Sequence, residues 1–85
     1  MTQPQYRTFQ ETEAILKSAI KLPGRKIKEI ADEIGINPNV FYKWKTSNAH
    51  LSPQKADALL LFFLKNEPDR LRIAEFLYYK TINNE

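Results

Sequence analysis

Eighty-five residues without a cysteine form one small domain that neither a disulfide nor a thiolate-bound metal can staple. The longest apolar run, 58–64, is far too short to span a bilayer, and the N-terminus is polar and shows no secretory signal, so a cytoplasmic protein is expected with no membrane contact. The net charge is +3, and with Gly24 and Gly35 as the two glycines there is no phosphate-cradling glycine loop.

The first stretch, 1–7, is polar and reads as a flexible arm, with Arg7 within reach of a phosphate. Thr8 to Glu11 has the capping-box pattern. A first helix then runs to about Lys21, with Phe9, Ile15, Leu16, Ala19, Ile20 and Leu22 on a wide core face. Leu22-Pro23-Gly24 is turn chemistry and stops it. A second helix covers roughly 25–34, with Ile27, Ile30, Ala31 and Ile34 at i, i+3, i+4 and i+7. Gly35 ends it in the left-handed conformation.

Asn37 caps a third helix over roughly 38–45, and Pro38 suits its first turn. Val40, Phe41 and Trp44 face one way on that helix; Asn39, Tyr42, Lys43 and Thr46 face the other. After a loop, Ser52-Pro53 opens a fourth helix that is apolar nearly all round and is expected at the centre of the core or in an interface. Asn66 to Asp69 breaks the chain and starts a fifth helix. The tail 83–85 is expected to fray. The fold class is all-α: one compact five-helix domain over 8–82, built on a helix-turn-helix.

Charge is concentrated. Between Lys21 and His50 there are six basic and three acidic residues, and the remainder carries seven of each. The whole excess lies on the helix-turn-helix. A polyanionic partner and an unevenly solvated surface both account for it.

Ile30-Ala31, Gly35-Ile36, Phe41 and Trp44 together resemble the helix-turn-helix of phage Cro/CI-type repressors (the XRE family), over about residues 10–64. The Trp44-Lys45 ending and Pro53 are similar to that family too, and the phage CII type of activator carries a comparable Trp-Lys segment. The resemblance implies a lambda-repressor-like DNA-binding domain in which Ala31 packs inside, Gly35 makes the turn, and Phe41 and Trp44 plug the core. Two positions depart from the pattern. Ile27 stands where the family often has a phosphate-contacting glutamine, which leaves that contact to Lys26 or Lys28. Pro38 stands where a base-reading glutamine is common, which shifts base reading to Asn39, Tyr42 and Lys43.

In that docking mode the second motif helix lies in the major groove. Asn39 can then pair with an adenine and Lys43 with guanine O6 and N7, while Tyr42 offers its hydroxyl to a phosphate or its ring to a thymine methyl. Lys45, Thr46, Ser47 and Asn48 follow the helix as phosphate contacts. Arg25, Lys26 and Lys28 stand near the N-terminus of the preceding helix, whose free N–H groups also attract phosphate. The bland reading of every one of these is a solvated side chain. Trp44 is read as core and not as a base-stacking platform. His50, the sole histidine, is read as a solvated loop residue, so no metal and no other cofactor is expected.

No nucleophile–base–orienter set is visible, and the chain is not expected to be an enzyme or to bind a small-molecule ligand. Phe62, Leu71, Phe76, Tyr78 and Tyr79 form a candidate homodimer interface. The expected function is a sequence-specific transcriptional regulator of the phage or mobile-element kind, a repressor acting on double-stranded DNA. The alternatives are a protein-interaction module, such as an antirepressor binding another regulatory protein, and a DNA-binding accessory factor in recombination or packaging.

Overall fold

The computed structural model describes residues 8–83. The arm expected over 1–7, and residues 84–85 of the expected tail, lie outside the described residues; Asn83 closes the last helix. Among the described residues there are five helices and no strand: α1 (Phe9–Lys21), α2 (Ile27–Ile34), α3 (Pro38–Thr46), α4 (Pro53–Asn66) and α5 (Pro68–Asn83). α1 packs on α3, α4 and α5; α4 packs on α1, α2 and α5; α2 packs on α3. The all-α expectation holds.

Four of the five helices, all but α2, start where a side chain or a proline can start them. The Thr8 hydroxyl accepts the Glu11 N–H at 3.0 Å, one half of a capping box. The Glu11 carboxylate accepts the Tyr79 hydroxyl at 2.7 Å, tying α1 to α5. That hydrogen bond, with partial burial and the Glu11 charge, pushes the Tyr79 phenol up to about 12. Ser52 caps α4 through the Lys55 N–H, with Pro53 at the first helical position.

The core runs through Ile15, Leu16, Ala19 and Ile20 of α1, Ile30 and Ala31 of α2, Phe41 and Trp44 of α3, Leu59, Leu60 and Phe63 of α4, and Leu71 and Ala74 of α5. Three expectations need correction. Phe9 is exposed, because it stands at the first position of α1, beyond the cover of the neighbouring helices. Leu61 is 50 % exposed, so α4 is not buried all round, and α1 shares the centre with it. α2 starts at Ile27 and not near Arg25.

The late start of α2 has a tertiary cause. The Arg25 N–H donates to Glu67 Oε1 at 3.3 Å, and its carbonyl accepts from Arg70 Nη1 at 3.0 Å. The backbone at 25 is therefore committed to α5. Gly24 precedes it at φ +149°, pressed against the same two side chains, where a Cβ would collide with both the Glu67 carboxylate and the Arg70 guanidinium.

Arg70 is 6 % exposed. Its Nε donates to the Ala19 carbonyl at 2.8 Å and its Nη2 to the Ile20 carbonyl at 3.2 Å. Both carbonyls belong to the last turn of α1, where the helix dipole is negative; the Ala19 carbonyl also accepts the Leu22 N–H at 3.1 Å. Glu67 lies 3.2 Å from Nη1 and balances the charge. The guanidinium also lies over the Phe63 ring at 5.1 Å. Replacing Arg70 by Met removes a donor from three carbonyls and the balancing cation from the Glu67 carboxylate. The expected loss is about 3–5 kcal/mol, the range for breaking a buried charge pair. Arg70→Lys recovers part of it, since one ammonium cannot span all the acceptors. Urea unfolding at neutral pH measures both; a loss below about 1 kcal/mol for Arg70→Met would show that the guanidinium does not anchor the fold.

Candidate nucleic-acid interface

The α2–α3 turn is closed by backbone alone. Gly35 sits at φ 74°, ψ 31°, and its N–H donates to the Ala31 carbonyl. The Ile36 N–H reaches the same carbonyl at 2.9 Å. Asn37 then caps α3 by accepting the Asn39 N–H at 2.9 Å, and Pro38 takes the first helical position.

Phe41 and Trp44 drive α3 into the core, with the two rings edge to face at 6.4 Å, and Val40 packs against the same cluster. Trp44 is thus core and not a stacking platform. The opposite side of α3 carries Asn39, Tyr42, Lys43 and Thr46, all exposed and spaced at i, i+3, i+4 and i+7. These four form one continuous outward stripe. Lys45 is half-buried at its edge.

The end of α3 is folded back on itself. The Thr46 hydroxyl donates to the Tyr42 carbonyl at 3.0 Å and the Ser47 hydroxyl to the Lys43 carbonyl at 2.6 Å. Their protons are committed, so either hydroxyl would have to swing out to donate to a phosphate. Asn48 is exposed in the loop that follows. Lys17 of α1 donates to the Ser47 carbonyl at 2.7 Å and lies 6.0 Å from the Trp44 ring.

The basic residues around α2 divide. Arg25 turns towards α4: its guanidinium is 3.2 Å from Glu33 and 3.8 Å from Glu29, and it lies over the Phe62 ring at 5.3 Å. Asn66 also donates to Glu33, at 3.2 Å. Arg25 therefore neutralises the acidic flank of α2. Lys26 and Lys28 are exposed at the N-terminus of α2, which has no side-chain cap on its first N–H groups.

Sequence reasoning missed the clamp on the loop after α3. Glu13, on α1, is buried. Its carboxylate accepts the Leu51 N–H, and its Oε1 lies 2.9 Å from His50 Nδ1. His50 is exposed, as expected, yet bound on one side. The buried Trp44 Nε1 has no hydrogen-bond partner of its own. Burial pushes the Glu13 carboxyl up, but the His50 hydrogen bond, the Leu51 N–H, the His50 charge and the nearby Trp44 indole together outweigh it. The group titrates below its ordinary value. The signal in the sequence was Glu13 on the rim of the α1 apolar face.

The five residues of the candidate dimer interface also divide. Phe62 and Leu71 are 3 % and 2 % exposed and belong to the monomer's own core, so that part of the expectation is corrected. Tyr78 is half-buried against the core, while Phe76 and Tyr79 are exposed. Among the described residues no group of three His, Cys, Asp or Glu is arranged to hold a metal ion, and no helix is long and apolar enough to cross a membrane.

A depressed Glu13 pKa stabilises the fold fully above the ordinary carboxylate value of 4.5, and that contribution is lost as the pH falls through the lower folded value. Glu13→Gln is therefore expected to lower the thermal midpoint at neutral pH and to flatten its decline on the acid side. Melts between neutral pH and about pH 3 check this. Parallel acid limbs for the variant and the parent would remove Glu13 from the account.

Among known protein families, residues 6–74 match the one described as Transposase, through its helix-turn-helix. No curated protein matches the chain, and no solved structure does.

Proposed function

The chain belongs to the transposase helix-turn-helix family, and from that premise we propose that it reads a specific double-stranded DNA site by laying α3 in the major groove. That family carries a DNA-binding helix-turn-helix and does not single out the Cro/CI or CII type. One observation supports the finer reading most: Asn39, Tyr42, Lys43 and Thr46 lie on one exposed stripe, directly opposite Phe41 and Trp44. The core pins the helix and the stripe faces out.

Asn39 and Lys43 are the base readers in this proposal, with Tyr42 beside them. Lys26, Lys28, Lys45 and Asn48, with the uncapped N–H groups of α2, hold the phosphates. Thr46, Ser47 and Arg25 contribute less, because their donors are occupied within the protein.

The job we assign is repression by a mobile-element-type regulator that acts as a homodimer in the cytoplasm. A second reading, an accessory factor that recognises DNA sites in recombination, is favoured by the family itself. A duplex from upstream of the gene and a duplex from an element end separate the two.

Fluorescence anisotropy with those two duplexes and a scrambled one, across a salt series, is the test. Binding is expected to weaken steeply with salt, as counterion release requires, and to prefer one of the two natural duplexes. Asn39→Ala and Lys43→Ala each lower that preference by about 1–3 kcal/mol. Weak binding, equal for all three duplexes and indifferent to both substitutions, would overturn the assignment of α3 and favour a surface that binds another regulator.

A further inference from the structure

α5 is apolar on two opposite faces. One face, with Leu71, Ala74 and Tyr78, closes the core beside Arg70. The other carries Asp69, Ile73, Phe76 and Lys80, separated by four, three and four residues. That alternation is the heptad spacing of a helix–helix seam. Ile73 and Phe76 are 52 % and 65 % exposed. Asp69, Arg72, Ile73 and Phe76 also line an open groove of about 520 Å³. Residues at i, i+3, i+4 and i+7 make the four-cornered hole that receives a knob from a facing helix.

We propose that this stripe is the seam of a two-fold dimer in which α5 packs antiparallel on α5 of a second copy. The pattern itself selects that partner. Asp69 precedes Ile73 by four residues, and Lys80 follows Phe76 by four. A two-fold axis that exchanges Ile73 with Phe76 therefore exchanges Asp69 with Lys80. The stripe reads acid, Ile, Phe, base in one direction and the reverse in the other. Two antiparallel copies place each Phe76 in the partner's hole and set an acid against a base at both ends. A parallel pair in register would set Asp69 against Asp69 and Lys80 against Lys80, which is repulsive. The interface is isologous and closes at two copies.

Both charged groups can join the seam from where they stand. Asp69 lies 3.2 Å from Arg72, in an ion pair whose side chains are almost fully exposed. The Lys80 ammonium lies 6.0 Å over the Phe76 ring, at the rim of the apolar strip. The seam uses neither Phe62 nor Leu71. It deepens the homodimer in the DNA-binding reading, since two copies carry two α3 stripes to two half-sites, but the contact itself rests on α5 alone.

Sedimentation of the full chain over a range of concentrations tests it, with circular dichroism confirming that each variant is folded. The parent is expected to be a dimer. Phe76→Glu is expected to be monomeric with unchanged helicity, because the ring is exposed in the monomer. Asp69→Lys weakens the dimer at least about ten-fold, equivalent to about 1.4 kcal/mol. Adding Lys80→Asp to Asp69→Lys restores it. A parent that stays monomeric, or a double variant no tighter than Asp69→Lys alone, overturns the antiparallel seam. Anisotropy on the same samples keeps the two readings apart. A monomer that still binds its duplex in a salt-dependent way sinks the seam and leaves the DNA reading standing, and a folded dimer indifferent to every duplex does the reverse.

Discussion

Arg70 joins the end of one helix to the start of the next. Its guanidinium collects the Ala19 and Ile20 carbonyls of α1 and the Arg25 carbonyl in front of α2, while Glu67 balances its charge. A helix C-terminus is a bundle of unpaired acceptors with partial negative charge, and a planar cation with several donors is the side chain best matched to it. The consequence is directional. With the chain at 25 held by Glu67 and Arg70, α2 begins at Ile27.

From there the outward face of α3 needs little more. Gly35 turns the chain back, Asn37 and Pro38 start the helix, and Phe41 and Trp44 fix its rotation about its own axis. Once two large rings on one side are buried, the residues at the opposite positions have to face water. The loop after α3 is then tied down twice from α1, by Lys17 at Ser47 and by Glu13 at Leu51. The presenting helix is thus held at its start by local turn chemistry and at its end by α1.

The sequence made one kind of information legible and hid another. Helical periodicity, the Thr8, Asn37 and Ser52 caps and the Gly35 turn are local, and the five helices follow from them almost residue for residue. The stripe of Asn39, Tyr42, Lys43 and Thr46 was legible for the same reason. What was hidden joins residues far apart in the chain: Arg70 to Ala19, Glu13 to Leu51, Arg25 to Glu67. Nothing local in the sequence marks these pairings, because charge is the strongest local sign of a surface and names no distant partner. Periodicity carried the missing clue. Glu67 and Arg70 share a helix face with Leu71, Ala74 and Tyr78, so a charged pair stood on a core stripe. Phe62 and Leu71 failed in the opposite sense: a helix apolar all round does not say which of its faces the monomer covers.

Pro38 constrains the docking proposed for α3. Asn37 spends its side chain on the Asn39 N–H, and Pro38 has no N–H to offer, so the first turn of α3 presents few backbone donors. The anion-binding capacity usual at a helix N-terminus is largely used up inside the protein. Positive charge comes instead from Lys43 and Lys45 in the last turn, where cations are favoured by the helix dipole. A helix so arranged gains little by pointing its N-terminus at a phosphate. In the docking proposed above it lies along the groove instead, which would let a side chain from each of two successive turns, Asn39 and Lys43, meet the base edges.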